Sequence, residues 1–334
     1  MKSLVCNKPG ELKYEEIEMP LPVNGEAILG VKKIGICGTD LHAYEGTQPY
    51  FNYPRVLGHE LALEVEDANG YAKGEAVTII PYFNCGKCIA CRNGKPNCCV
   101  AINVFGVHID GGMKEFISVP LDCIVRAGGL GMEELALIEP LAIGAHGVKR
   151  AAVTPGEFVL VIGAGPIGLG IMEFARAGGA KVIALDINQQ WLNFCTDKLS
   201  IPFTINGTTE NVIERLKEIT NGDMATVIID ATGNLKAINT AFQYMSHGGR
   251  FVLVGLQKET FEISHPEFHK REGTLMSSRN ATRSDFEQVI SSIKSGEINP
   301  LNYITHRVKF DDIQAEFKTW LNPANGVIKV VIEM

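Results

Sequence analysis

Two groups of residues in this chain have the side-chain types and spacing that hold a metal. Five of the nine cysteines fall between residues 85 and 99, in Cys85-Gly-Lys-Cys88-Ile-Ala-Cys91-Arg-Asn-Gly-Lys-Pro-Asn-Cys98-Cys99. Loops this short let four thiolates converge tetrahedrally on one Zn²⁺, in a closed shell that stabilises the fold and leaves no position for substrate. Either Cys98 or Cys99 can supply the fourth sulfur. An odd cysteine count with such crowding points to metal in a reducing compartment rather than to a disulfide framework. Cys6, Cys123 and Cys195 carry no motif and read as buried apolar residues. The second group is dispersed. Cys37 lies in Gly35-Ile36-Cys37-Gly38-Thr39-Asp40-Leu41-His42, and His59 lies in Gly58-His59-Glu60. Taken singly, each reads more simply as a core cysteine or a satisfied histidine. Together they offer the thiolate and imidazole of a catalytic zinc site, which needs a third protein ligand and one open position.

A third motif is a glycine turn, Gly163-Ala164-Gly165-Pro166-Ile167-Gly168, between an apolar β-branched run at 158–162 and an amphipathic segment at 166–177. In the order strand, turn, helix, Gly163 allows a tight bend, Gly165 lets the backbone approach a pyrophosphate, and Gly168 lets helix and strand pack closely. Backbone groups of the turn and helix start, Pro166 and Ile167 included, then face the phosphates. Asp186 closes the next strand about 20 residues on, where an acid accepts hydrogen bonds from the ribose hydroxyls of NAD. Residues 187–197 contain no Lys or Arg to receive a 2′-phosphate, so NAD is expected over NADP. Thr232, in Ala231-Thr232-Gly233, and Gly255 each follow a later strand and are expected near the same cofactor.

These residues need two kinds of scaffold. Up to about residue 141 the chain reads as short strands and turns, with strands expected at 27–34, 61–65 and 75–81. A helix at 143–152 leads to the glycine turn. Strands and helices then alternate to an edge strand at 273–278, the pattern of a doubly wound parallel sheet with ligand at the strand C-termini. Helices are expected at 285–295 and 311–321, and a strand at 327–332. At 334 residues two domains are implied. A formal charge of −7, with only Lys87, Arg92 and Lys95 near the cysteine cluster, argues against nucleic acid as a partner. No apolar run is long enough to span a bilayer, and Met1 to Pro9 lack the apolar centre of a signal peptide. A cytoplasmic protein acting on a small molecule is expected.

The motifs resemble those of the zinc-dependent medium-chain dehydrogenase/reductase family, in its polyol and threonine dehydrogenase branch. The resemblance covers the whole chain. It implies a fold of class α/β, with a β-rich GroES-like partly open barrel domain at 1–142, a Rossmann domain at 143–282, and a return to the first domain at 283–334. The active site would then lie in a cleft between the domains. The structural zinc would be held by Cys85, Cys88, Cys91 and Cys99. The catalytic zinc would be held by Cys37 and His59, with Glu60 or Glu139, in Leu137-Ile138-Glu139-Pro140-Leu141, touching the metal or its water. Thr39 would lie beside the reacting alcohol and His42 would pass its proton outward. Zinc lowers the pKa of a bound alcohol, and NAD accepts the hydride.

Within the family, residues 48–60, 266–271 and 278–282 look like bacterial members that oxidise C5 of an aldonate, L-galactonate or L-gulonate, to a hexuronate. A hexonate needs a cation for its carboxylate, for which Arg279 is the candidate, with Asn280 for a hydroxyl. Sorbitol-type or L-threonine dehydrogenase activity is the competing enzymatic reading. A non-catalytic, zinc-stabilised NAD-binding protein is the reading from another class. The resemblance further implies a homodimer or homotetramer, with the edge strand near Leu275 as a contact.

Overall fold

The computed structural model describes residues 1–21 and 23–334. Two compact units divide the chain: Met1–Pro140 with Ala281–Met334, and Leu141–Asn280.

The first unit is built on the strand Glu26–Gly35, which is buried from Ala27 to Val31 and again at Ile34 and Gly35, with Lys32 and Lys33 interrupting the apolar run. It pairs antiparallel with Glu60–Asp67, with Phe116–Pro120 and with Lys329–Glu333; Ile304–Lys309 extends the sheet parallel to Lys329–Glu333. The register sets Gly35 opposite both Glu60 and Val331. Leu29, Ile34, Leu61, Leu63, Ile117 and Ile332 fill the core between strands. Each such side chain stabilises the fold by roughly 1.5–3 kcal/mol. The segment at 311–321 is a chain of tight turns around one short helix, Ile313–Glu316, rather than a continuous helix. Phe310, Ile313, Phe317 and Trp320 are still buried there, so apolar spacing survives the change of backbone.

The second unit carries six parallel strands in the spatial order Phe203–Asn206, Lys181–Asp186, Phe158–Ile162, Ala225–Asp230, Met245–Leu253, Thr274–Ser277. In order of appearance this is 3-2-1-4-5-6, the doubly wound dinucleotide-binding arrangement, which switches direction between its first and fourth strands. The crossover helices start on asparagines: Asn188 accepts from the Gln190 N–H, Asn211 from Glu214 and Asn234 from Ala237. Side-chain oxygens there satisfy donors that the first turn leaves open. The helix Ile138–Ala151 runs from one unit into the other and begins five residues before the position its sequence suggests. Pro140 reads as a boundary, but proline is tolerated in a first turn, where an N–H has no intrahelical partner. Glu139 is thereby placed in the first turn of this helix. Among the described residues no helix is long and apolar enough to cross a membrane.

Candidate active site and metal centres

Cys37, His59 and Glu60 come together so that one donor atom from each lies within 4.8 Å of the others. Strand geometry brings them there. Cys37 follows the end of Glu26–Gly35 and caps the helix Gly38–Glu45, while His59 and Glu60 enter the neighbouring strand. Asp40, fully buried, ties the two segments: its carboxylate accepts the Cys37 N–H at 2.9 Å and the Gly58 N–H at 3.1 Å. Gly58 has φ +93, which lets the chain turn into His59. A Cβ on Gly35 would meet Glu60 Oε2 at 2.1 Å, so this glycine makes room for the carboxylate opposite it.

Four further side chains border this cluster. Lys329 is 1% exposed, and its Nζ donates to both Glu60 oxygens at 2.8 and 2.7 Å and to the Ile36 carbonyl at 2.9 Å. Glu139 is 4% exposed and lies outside the three-donor group; the hydroxyl of Tyr82, also buried, donates to its Oε1. The fourth is Asp40, already described. The sequence motifs assign no role to Asp40, Lys329 or Tyr82. A lysine inside the apolar run Ile328-Lys329-Val330-Val331-Ile332 was the available signal for Lys329, and nothing local marked Tyr82.

Asp40, Glu60, Glu139 and the Cys37 thiol are gathered around Lys329 and His59, so acidic and basic groups share one largely buried space. Burial opposes protonation of His59, but Asp40 and Cys37 outweigh it and drive its pKa well above the ordinary imidazole value. Burial lifts the Glu139 carboxyl to about 7, with the Glu60 charge adding to it. His59 Nδ1 is buried without a hydrogen-bond partner, 3.8 Å from Asp40 Oδ1. Buried charged groups are costly unless paired or bound to metal. Thiolate, imidazole and carboxylate in reach of one point form a donor set that suits Zn²⁺. Thr39, half-buried, and His42, exposed, lie one turn apart on the helix Gly38–Glu45. His42 Nδ1 is 3.2 Å from Thr47 Oγ1.

The sulfurs of Cys85, Cys88, Cys91 and Cys99 also lie within 4.8 Å of one another, whereas Cys98 is exposed and outside the group. N–H groups already point at these sulfurs: Cys85 and Ala101 donate to Cys99 at 3.3 and 3.4 Å, and Asn84 Nδ2 to Cys91 at 3.6 Å. The Cys91 and Val100 N–H groups bring the Cys88 thiol down to about 6. Thiolate formation at Cys88 is therefore favoured before any metal arrives.

In the second unit Gly163 has φ +100, and a Cβ on Gly168 would sit 1.8 Å from the Gly163 carbonyl oxygen. Gly165 caps the helix Pro166–Ala177, with Pro166 and Ile167 in its first turn. Asp186 accepts from the Ala164 N–H at 2.6 Å and the Asn188 N–H at 2.8 Å, so the acid and the glycine turn are held together. Thr232 and Gly255 gather beside them: a Cβ on Gly163 would meet Thr232 Cγ2 at 2.7 Å, and one on Gly255 would meet the Gly233 nitrogen at 2.1 Å. Asp230 fixes this corner by accepting from Thr232 Oγ1 at 2.6 Å and from the Gly233 N–H at 3.0 Å. Arg279 and Asn280 follow the strand Thr274–Ser277 in this unit, and Asn280 has φ +53.

Comparison with known proteins agrees with this geometry. Residues 23–128 match the alcohol dehydrogenase GroES-like domain family and residues 166–295 the zinc-binding dehydrogenase family. The L-galactonate-5-dehydrogenase of Escherichia coli K12 is 43% identical over 336 residues, covering 99% of this chain and 98% of that protein. The starvation-sensing protein RspB of the same organism is 35% identical, over 94% of this chain and 93% of its own. Among solved structures, the alcohol dehydrogenase rspB of E. coli CFT073, complexed with cofactor NADH, superimposes with a TM-score of 0.93 at 32% identity, covering 100% of this chain and 99% of that one. The chain belongs to the zinc-binding medium-chain alcohol dehydrogenase family and is an oxidoreductase that acts on CH–OH groups with zinc and a nicotinamide dinucleotide.

Proposed function

We propose that the protein oxidises the C5 secondary alcohol of an aldonate, L-galactonate or L-gulonate, to a hexuronate with NAD as acceptor. The observation that carries the catalytic part is the convergence of thiol, imidazole and carboxylate donors from Cys37, His59 and Glu60 within 4.8 Å of one another. The substrate rests on the full-length likeness to the E. coli L-galactonate dehydrogenase. When bound, zinc supplies Lewis acidity and NAD accepts the hydride.

The chain's own residues do the rest. Cys37 and His59 hold the metal, with the carboxylates of Glu60 and Glu139 beside it. Both Glu60 oxygens are engaged by Lys329, which leaves Glu139 the more available of the two. Thr39 holds the reacting hydroxyl, and His42, with Thr47 at its Nδ1, carries the proton to solvent. Asp186 receives the ribose hydroxyls, and the absence of Lys or Arg in 187–197 supports NAD over NADP. Gly163, Gly165, Pro166, Ile167, Gly168, Thr232 and Gly255 surround the dinucleotide. Cys85, Cys88, Cys91 and Cys99 hold a structural zinc. Arg279 pairs with the substrate carboxylate and Asn280 with a hydroxyl. The free edge of Thr274–Ser277 supports a homodimer or homotetramer, and nine unpaired cysteines support a reducing, cytoplasmic setting.

The test is NADH formation by zinc-loaded protein on L-galactonate, L-gulonate, L-idonate, sorbitol, galactitol and L-threonine at matched concentrations, with NADP as a second acceptor. Turnover of an aldonate with NAD, and a raised KM for that aldonate in Arg279→Met, is expected. Preference for sorbitol or threonine would discard the substrate class and keep the zinc dehydrogenase.

A further inference from the structure

We propose that Tyr82 is a positioning residue of the catalytic centre: its buried hydroxyl holds Glu139 at the margin of the metal group and so governs how far that carboxylate engages the metal. This rests on the reading of the Cys37 and His59 site as the catalytic zinc site.

The geometry is specific. Tyr82 is 5% exposed and Glu139 4%, so neither partner has water as an alternative, and the phenol donates to Oε1 of the carboxylate. A phenol is protonated at neutral pH and so acts as a donor to a carboxylate. A donor on one oxygen withdraws electron density from the carboxylate and competes with any cation for it. Glu139 is the carboxylate that this competition can decide, because Glu60 is already clamped through both oxygens by Lys329.

Tyr82 is itself held rigidly, which a positioning residue requires. The strand Tyr82–Phe83 pairs antiparallel with Asn103–Val104, and the Phe83 ring packs on Phe105 at 5.8 Å between centroids. The next residue, Asn84, donates to Cys91 Sγ, and Cys85 opens the four-cysteine lobe. The lobe that holds a structural metal is thus the anchor for the side chain that sets Glu139. Three consecutive residues join the two centres.

The experiment compares the parent protein, Tyr82→Phe, Glu139→Gln and the double variant, each loaded with Co²⁺ at the catalytic site and zinc in the lobe. Three quantities are read: the visible absorption of the cobalt, kcat on the best substrate, and KM for NAD. In Tyr82→Phe the cobalt bands shift and kcat falls about tenfold, the lower end for removing a partner of a metal-ligating group, with KM for NAD unchanged. In the Glu139→Gln background the same substitution changes neither the bands nor kcat, because Tyr82 acts through Glu139. Unaltered cobalt bands in Tyr82→Phe, or equal effects in both backgrounds, overturn the proposal. A parent protein that takes up no cobalt at Cys37 and His59 refutes the reading of the site instead. Should Tyr82→Phe fold poorly, Tyr82→His, which keeps a buried donor, distinguishes lost packing from lost donation: partial return of the parent bands supports the proposal, and none overturns it.

Discussion

The four-cysteine lobe and the Cys37 centre meet the same spatial criterion, donor atoms within 4.8 Å, by opposite means. The lobe draws its donors from one short stretch of chain, leaves three of its four cysteines partly exposed, and holds its sulfurs with nearby N–H groups. The Cys37 centre draws its donors from residues 37, 59 and 60, with Glu139 at its margin and Lys329 from the far end of the chain, all but Cys37 deeply buried. A closed, local site can form almost by itself. A buried, dispersed one needs the sheet register, Gly35 as space and Asp40 as tie, and it must balance its charges. On the proposed reading the lobe contributes stability, whereas the Cys37 centre accepts a cost in stability to keep reactive groups in place.

The largest expected effect separates the two directly. Cys37→Ser should keep one of the two metal equivalents and lose activity by about a thousandfold, several kcal/mol of Lewis-acid stabilisation at about 1.4 kcal/mol per tenfold, with little change in Tm. Cys88→Ser should lose the other equivalent, lower Tm and open residues 85–99 to proteolysis. Metal analysis, calorimetry and limited digestion decide it. Equal loss of Tm in both variants would break the comparison.

A second, smaller effect probes the charge balance. Lys329→Met leaves Glu60 as a buried carboxylate without its partner, and loss of one member of a buried pair costs about 3–5 kcal/mol. For a chain of this size that lowers Tm by on the order of 10 °C. Combining Lys329→Met with Glu60→Gln should recover most of the loss, because the penalty is the stranded charge rather than the missing contact. Denaturant titration of both variants checks this. A single variant within about 1 kcal/mol of the parent would show that water or metal already compensates Glu60.

The same contrast explains what could be read in the sequence. The cysteine lobe and the glycine turn declare themselves because their chemistry lies in consecutive residues, and the parallel sheet follows from alternating strands and helices. Cys37 and His59 are visible through their glycine-flanked motifs. Asp40 sits inside one of those motifs, but its role needs Gly58 beside it, a contact made only by strand pairing. Lys329 is marked as odd by its apolar neighbours, yet its partner lies 269 residues away. Tyr82 and Glu139 meet because a helix starts at Ile138, and Pro140 hides that start. What stays illegible is what tertiary structure alone brings together.

The smallest effect concerns pH, and its sign follows from burial. The Glu139 carboxyl is raised from 4.5 to about 7 because burial penalises its charge, so the folded, metal-free protein binds this proton more tightly than the unfolded chain does. A carboxyl of this kind supports folding below its unfolded pKa and loses that support as pH rises through its folded pKa. In metal-free protein, then, Glu139 should withdraw up to about 3 kcal/mol of stability between roughly pH 4.5 and 7, at 1.36 kcal/mol per pKa unit. Carboxylates with lowered pKa values, such as Glu75 and Glu133, run the other way, so the comparison with Glu139→Gln isolates the effect. Unfolding free energies measured across that range should diverge with rising pH, with the Gln variant gaining on the parent. Zinc should remove the divergence, because a divalent cation favours the ionised carboxylate and competes with its proton. Parallel curves without metal would mean that the His59 charge and the Tyr82 hydroxyl together suffice to keep Glu139 ionised, and the Cys37 centre would then tolerate its buried charge without a metal.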